Sequence, residues 1–109
     1  MPEPKVDPVY GHKAPLLEAD HIVPMKRIVQ MPGFNRLTRS QQLEVLNLRK
    51  NFMGLSKPSN ASKGARTYAE WKGHSKLGPI PEDVRAWLAQ VEQRAAKALE
   101  KAISDRTGR

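Results

Sequence analysis

Two side chains that can do chemistry, Asp20 and His21, stand next to each other in the stretch EADHIVP at residues 18–24. They come near the end of a largely apolar run that Pro24 stops, so the run is predicted to be a strand that terminates here. Successive side chains of a strand point to opposite faces, and two adjacent polar residues therefore interrupt one face. The pair is either an ordinary turn at a strand end or a catalytic pair, because a carboxylate can bind a cation and a neutral imidazole can accept a proton.

Two strands and a helix are predicted around this pair. LLEADHIV at residues 16–23 forms the first strand, and NFMGLS at residues 51–56 forms the second. Pro58 can open a helix that continues through residues 60–71, although Gly64 weakens that helix.

The residues between the two predicted strands favour additional helices. MKRIVQM at residues 25–31 can form about two helical turns before PGFN interrupts it. Thr38 and Gln41 stand three residues apart in TRSQ, a capping-box pattern that opens a helix through residues 41–48. The predicted inward face of that helix carries Leu43, Leu46 and Asn47.

The clearest pattern lies in the last part of the chain. Residues 81–105 are predicted to form one long helix, because Pro81 suits a first turn and Glu82 and Asp83 complement the positive end of the helix dipole. Residues 72–79, before it, are predicted to be a loop. Apolar residues recur at the helical period and are predicted to pack in the core, with a docking face for a partner as the alternative. They are Val84, Trp87, Leu88, Val91, Ala95, Ala98, Leu99, Ala102 and Ile103.

The order of these residues resembles the HNH, or His-Me finger, nucleases, whose core is a β-hairpin and a helix closed on one metal ion. The matching residues are Asp20-His21-Ile22-Val23-Pro24, Asn51-Phe52-Met53, and Asn60 with Lys63-Gly64. Asn51 and Asn60 are nine positions apart, the interval that the family uses. The resemblance spans residues 18–71, about half of the chain. It implies an α+β fold with a small ββα-metal (His-Me finger) core, added helices and a long C-terminal helix.

The resemblance also implies hydrolysis of a phosphodiester bond, for which a cation must neutralise charge on the phosphate and on the leaving alkoxide. His21 would be the general base. Asp20 and Asn60 would hold the cation through a carboxylate and a carbonyl oxygen, and Asn51 would be structural, bridging the loop and orienting the His21 ring. Oxygen ligands favour Mg²⁺, with Mn²⁺ as an alternative, over Zn²⁺ or Ni²⁺. For Asn60 the structural alternative is a helix N-cap.

Basic side chains near these positions are predicted to contact nucleic acid. Lys63 and Arg66 lie three residues apart near the start of the finger helix, where both could bind phosphate. His74 is assigned to phosphate contact and His12 to an accessory role at the site, with a surface histidine as the alternative for each. Glu18 either assists the metal or forms an ion pair. The other members of the predicted phosphate-binding rim are Lys26, Arg27, Arg36 and Arg39.

The predicted finger differs from many members of that family because the chain has no cysteine for a structural zinc. The segment between His21 and Asn51 is longer than in the shortest fingers and is similar to the version in bacterial toxin domains. The finger is therefore predicted to be held by packing, with base stacking by the tryptophan as an alternative. The predicted packing residues are Phe52, Leu55, Tyr68 and Trp71.

Length and charge place further bounds on the protein. A chain of 109 residues is predicted to be one domain, residues 16–109, after a proline-rich linker or surface strap at residues 1–15. The formal charge is +8, and the segment from Lys26 to Lys76 carries eleven Lys and Arg against two acids. A basic centre beside a nearly neutral tail favours a polyanionic partner. No membrane-spanning run or signal segment is visible, so the domain is predicted to be soluble.

Together these features predict a metal-dependent endonuclease that cuts DNA with little sequence preference. By resemblance it would be the toxin domain of a bacterial polymorphic toxin. Such a domain is predicted to be a monomer that is secreted or injected with a larger effector, acts in the target cytoplasm and is neutralised by an acidic immunity protein. The alternatives are a free-standing phage or restriction-type nuclease and a non-catalytic nucleic-acid-binding module on a degenerate finger. RNA is also compatible, because nothing in the sequence reports on the 2′-hydroxyl.

Overall fold

Short antiparallel strand pairs and helices alternate along the chain, and one long helix ends it. The structure, a computed structural model, describes residues 5–108. Its first strands, β1 (Lys5–Val6) and β2 (Lys13–Ala14), form a hairpin. Asp7 and Val9 in the turn are buried, so they anchor this segment to the rest of the molecule. Residues 1–4 of the predicted strap lie outside the described residues.

The two strands predicted around the Asp-His pair are both present and bond to each other. Strand β3 (Glu18–His21) pairs antiparallel with β4 (Phe52–Leu55). Their register sets Asp20 opposite Met53 and places His21, the last residue of β3, opposite the first residue of β4. The Asp-His pair therefore lies at the open end of a two-stranded sheet.

The connection between β3 and β4 is helical, as predicted. Helix α1 (Met25–Ile28) is followed by a 3₁₀ turn at Phe34–Arg36, helix α2 (Arg39–Leu46) and a second 3₁₀ turn at Arg49–Asn51. Helix α1 has four residues instead of the predicted two turns. The chain turns after it through Gly33, whose φ of 88° is a conformation that glycine adopts without strain.

The predicted capping box opens α2. The Thr38 hydroxyl accepts from the backbone N–H of Gln41, and the Gln41 side chain accepts from the N–H of Thr38. The predicted inward face is wrong for Leu43, which is 52% exposed, whereas Leu46 packs partly buried against the core and Val45 is fully buried. Helix α2 packs against the C-terminal helix on the Val45 side, and the Asn47 amide bonds the carbonyl of Leu43 near the helix end.

The helix predicted to open at Pro58 is shorter than expected. Helix α3 (Lys57–Lys63) begins after the N-cap Ser56, with Pro58 in its first turn. It ends at Gly64, whose φ of 55° lies in the left-handed region, so the predicted continuation through residues 60–71 is wrong beyond this glycine. Helix α3 contacts β3 directly.

Two further strands lie in the predicted loop at residues 72–79. Strands β5 (Gly73–His74) and β6 (Gly78–Pro79) form a small hairpin beside α3. Each strand has only two residues, which is why no alternating pattern marked them in the sequence.

The long helix α4 (Glu82–Arg106) forms as predicted and supplies much of the core. Its apolar stripe faces inward except at Trp87, which is 40% exposed. The buried members of the stripe are Leu88, Ala95, Leu99, Ala102 and Ile103.

The predicted packing residues Leu55, Tyr68 and Trp71 are at most 1% exposed. Phe52 is only half-buried. Its ring packs against the imidazole of His21, with 4.3 Å between the ring centroids. The fold is therefore α+β, with short antiparallel strand pairs and a long C-terminal helix. None of the helices within residues 5–108 is long and apolar enough to cross a membrane.

Candidate functional site

A cleft of about 430 Å³ lies between the end of β3, the start of α1 and one face of α3. Asp20, His21 and Asn60 line it, so three of the residues predicted to act together do meet in one place. Lys26 lines the same cleft and is exposed. The remaining lining residues are Ala19, Pro24, Met25, Gly64 and Ala65.

The imidazole of His21 is held in one tautomer. Its Nε2 atom lies 3.0 Å from the backbone carbonyl oxygen of Leu46, near the end of α2. A carbonyl can only accept, so Nε2 carries the hydrogen and Nδ1 keeps its lone pair. The Phe52 ring supports the imidazole from one side. This arrangement suits a proton acceptor whose reactive nitrogen is Nδ1.

Asn51 lies beneath this site and is fully buried. Its Oδ1 atom accepts from the N–H of Val23 at 2.8 Å, and its Nδ2 atom donates to the carbonyl of Val23 at 3.0 Å. Its own carbonyl accepts from the N–H of Ile22 at 2.8 Å. Asn51 thus fixes the two residues that follow His21 to the segment that enters β4.

Asp20 is almost completely buried and forms an ion pair with Lys63. The Lys63 Nζ atom lies 3.1 Å from Oδ2 and 3.3 Å from Oδ1, and the Tyr68 hydroxyl donates to Oδ2 at 3.2 Å. Burial raises the pKa of the Asp20 carboxyl above its usual value, although the Lys63 ammonium opposes that shift. Burial and the Asp20 carboxylate raise the pKa of Tyr68, so its hydroxyl keeps the proton that it donates.

The prediction that Lys63 binds phosphate is wrong. Its side chain has no exposed surface, and its ammonium also donates to the carbonyl of His21 at 3.0 Å and lies 4.9 Å from the centre of the Tyr68 ring. Lys63 lies one turn after Asn60 at the end of α3 and points into the molecule. It therefore connects α3 to the end of β3.

Asn60 projects from α3 into the cleft and is oriented by Glu18. Its Nδ2 atom donates to the Glu18 carboxylate at 2.8 Å, which identifies the amide nitrogen because a carboxylate only accepts. The amide oxygen accepts no hydrogen bond from any residue between 5 and 108. Within residues 5–108 Glu18 forms no ion pair, so that alternative is wrong, and its carboxylate instead positions the side chain of Asn60.

This cleft holds two oxygen donors, although both oxygens of Asp20 already lie within 3.3 Å of Lys63 Nζ. Asp20 offers a carboxylate oxygen and Asn60 an amide oxygen, the ligand types that Mg²⁺ prefers. Among the described residues there is no group of three or more His, Cys, Asp or Glu side chains that could hold an ion by itself. Lys63 already balances the charge of Asp20, so a cation would depend on the substrate phosphate for part of its affinity.

The other predicted residues lie outside this cleft. Arg27 forms an exposed ion pair with Glu70 at 2.8 Å. Arg66 and His74 line a different cleft, described below. His12 is at the start of α3, with Nε2 2.9 Å from the Ser56 hydroxyl.

Sequence reasoning missed two partners of the site. It did not identify the carbonyl of Leu46 as the group that orients His21, and it assigned Tyr68 to packing alone. No sequence signal marks either contact, because a backbone carbonyl is present at every position and the Tyr68 contact joins residues 48 positions apart.

In comparisons with known proteins, no family model, curated protein or solved structure matches the chain.

Proposed function

We propose that this protein is a metal-dependent endonuclease of the HNH type that hydrolyses DNA. The observation that carries the proposal is the state of His21, whose Nε2–H is held by the Leu46 carbonyl while Nδ1 stays available in a cleft shared with Asp20 and Asn60. The order of elements also supports it, since β3 pairs antiparallel with β4 and α3 contacts β3, as we expect of a ββα core.

In the proposed reaction, Asp20 and Asn60 would hold one Mg²⁺ or Mn²⁺ ion, which when bound neutralises charge on the phosphate and the leaving oxygen. His21 accepts the proton of the attacking water at Nδ1. The resulting imidazolium still donates from Nε2 to the Leu46 carbonyl, so the proton transfer costs no hydrogen bond. Asn51 keeps the segment after His21 in place.

The proposed substrate is DNA cut with little sequence preference, because the excess charge of the chain lies between Lys26 and Lys76 and suits backbone contacts. Lys26 is exposed and lines the same cleft as the reacting groups. As a toxin domain the protein would act as a monomer inside a target bacterial cell, after secretion or injection. An acidic immunity protein would cover the basic surface.

Cleavage of supercoiled plasmid tests the proposal. We expect Mg²⁺ and Mn²⁺, more than Zn²⁺, to support cutting that a chelator abolishes, and we expect His21→Ala to lower the rate by at least about 100-fold. His12→Gln is the matched control, because His12 lies outside the cleft and glutamine can keep the bond to Ser56. Cutting by His21→Ala at the native rate would contradict the assignment of the base.

A second candidate function is a non-catalytic nucleic-acid-binding module. The buried ion pair between Lys63 and Asp20 favours it, because it occupies the carboxylate that a metal would need. Under this alternative, native protein retards plasmid on a gel and cuts it with none of the three metals.

A further inference from the structure

A second cleft, of about 650 Å³, lies beside the candidate active site. It is lined by α3, by the segment after α3 and by the β5–β6 hairpin. Asn60 and Gly64 face the first cleft, whereas Pro58, Ala61 and Ser62 face this one. At 3.6 residues per turn these two sets fall on different sides of the helix, so α3 forms a wall between the two clefts.

The guanidinium of Arg66 is fixed at the edge of the second cleft. Its Nη1 atom donates to the carbonyls of Ser62 and Lys63 at 3.1 and 3.5 Å, at the end of α3. Its Nε and Nη2 groups donate to no residue within the described part of the chain. Because a guanidinium is planar, fixing one nitrogen leaves an oriented pair of donors for an anion.

The imidazole of His74 presents a second donor. Its Nδ1 atom accepts from the backbone N–H groups of Lys76 and Leu77 at 3.0 and 3.3 Å. Backbone N–H groups can only donate, so Nδ1 carries the lone pair and Nε2 carries the hydrogen. The ring therefore lines the second cleft with an N–H group that its own hairpin does not use.

The hairpin that carries His74 is held in place by the N-terminal hairpin. The Tyr10 hydroxyl accepts from the N–H of His74 at 2.7 Å and donates to the carbonyl of Gly78 at 2.6 Å. A side chain at Gly73 would place its Cβ 2.6 Å from the Gly78 oxygen, so only glycine fits there. The donor positions are thus set before any ligand arrives.

The lining of this cleft suits the binding of an anion and does not suit the stacking of a nucleobase. Lys72 is exposed, and its ammonium donates to no residue between 5 and 108. The one acid, Glu70, is already bonded to Arg27 and to the N–H of Thr67. Trp71 is 1% exposed and donates to Ser62, so its ring cannot stack on a nucleobase.

We propose that this second cleft binds one backbone phosphate of the DNA while the scissile phosphate lies at His21. Arg66, Lys72 and His74 would contact the phosphate in the second cleft. The proposal rests on DNA being the substrate. This subsite would bind the DNA strand on the side of α3 opposite the reacting bond. It would recognise the charge of the phosphate and not the base sequence.

Binding without cleavage tests this subsite. Fluorescence anisotropy with a labelled 20-base-pair duplex is measured in a chelator over a series of salt concentrations. For the double variant Arg66→Gln and Lys72→Gln we expect roughly a tenfold or greater loss of affinity and a salt slope smaller by about 2. Arg94→Gln with Lys97→Gln removes the same charge from an exposed part of α4 and is expected to change affinity less than about twofold. Equal losses in the two double variants would overturn the subsite.

Cleavage supplies the second readout. Hydrolysis of bis(4-nitrophenyl) phosphate needs only the first cleft, so we expect the double variant at Arg66 and Lys72 to retain it while its DNA cleavage falls about tenfold or more. Parallel loss of both activities would show that the second cleft is no separate subsite and would overturn the proposal. If the native protein cleaves neither substrate but the binding difference is present, the proposed nuclease fails and the phosphate site stands.

Discussion

Polar side chains in the interior hold the candidate site together at the scale of single residues. Asn51 satisfies both backbone groups of Val23, and Lys63 satisfies Asp20 and the carbonyl of His21. The hydrogen bonds of Asn51 and Lys63 replace those that the buried groups made to water in the unfolded chain. Removing one partner therefore leaves the other buried without a hydrogen bond. The residues that would act on substrate are thus positioned by neighbours that never contact it.

Replacing Asn51 tests the first of these supports. Asn51→Ala leaves the buried N–H and carbonyl of Val23 without partners, and we expect it to lower the free energy of unfolding by about 2–4 kcal/mol. Urea unfolding followed by circular dichroism measures this. Asn47→Ala is the matched control, because its amide bonds a carbonyl at the exposed end of α2 and its loss should cost below about 1 kcal/mol. Similar costs for the two variants would contradict the role given to Asn51.

Replacing Lys63 tests the ion pair. Lys63→Met leaves the Asp20 carboxylate buried without its cation, and we expect a loss of about 3–5 kcal/mol in unfolding free energy. Adding Asp20→Asn to this variant removes the uncompensated charge and should restore a large part of the loss. A double variant as unstable as Lys63→Met alone would mean that the cost comes from packing and not from charge.

Contacts between secondary-structure elements decide how α3 is held. The Asp7 carboxylate, in the turn between β1 and β2, accepts from the N–H groups of Tyr10 and Ser56 at 2.8 and 2.9 Å. Ser56 is the N-cap of α3, so Asp7 joins the N-terminal hairpin to the helix that carries Asn60. Burial alone would raise the pKa of Asp7, but these backbone hydrogen bonds outweigh it and lower the pKa below 3.8.

Acid titration tests this contact between Asp7 and the start of α3. Because the folded state lowers the pKa of Asp7, its carboxylate contributes stability above the unfolded value of 3.8, and that contribution is lost as pH falls through the folded value. We expect Asp7→Asn to be less stable than native protein by about 1–2 kcal/mol at pH 7, and the difference should narrow towards pH 3. Urea midpoints across this range measure it, with exposed Asp105→Asn as control. A difference independent of pH would contradict the ionised hydrogen-bonded carboxylate.

At the scale of the whole molecule, α4 shares one hydrophobic core with the elements that precede it. The core that its apolar stripe joins contains Val45 from α2, Leu55 from β4 and Trp71 from the segment after α3. The β-strands are two to four residues long and could not stabilise themselves in isolation. Burial in this shared core therefore provides the stability that the small sheets lack.

Truncating a core residue of α4 tests this interpretation. Leu99 is fully buried, and we expect Leu99→Ala to lower the free energy of unfolding by about 2–5 kcal/mol. Leu43→Ala is the control, because Leu43 is 52% exposed on α2 and should cost below about 1 kcal/mol. Urea unfolding of both variants gives the comparison. Equal effects would mean that the α4 stripe is a docking face and not core.

Local signals in the sequence determined the places of several helices and strands. The capping box at Thr38 and Gln41, the strand run before Pro24 and the helical period after Pro81 each act within a few residues. Each gives its element at the predicted place, although the strand covers only Glu18–His21 of the predicted residues 16–23. The residue types at the site were also set by sequence: an acid and a histidine at a strand end, and an asparagine on the helix nearby.

Tertiary structure decided everything that depends on distance along the chain. Lys63 meets Asp20 across 43 positions, Leu46 meets His21 across 25, and Asp7 meets Ser56 across 49. The sequence predicted Lys63 as a phosphate contact, because it stands three residues from Arg66 on one side of the predicted helix. Its burial follows from the nearby carboxylate of Asp20, a partner that only the packing of α3 against β3 supplies. Charge pairing in a folded interior is set by such packing, and no local pattern encodes it.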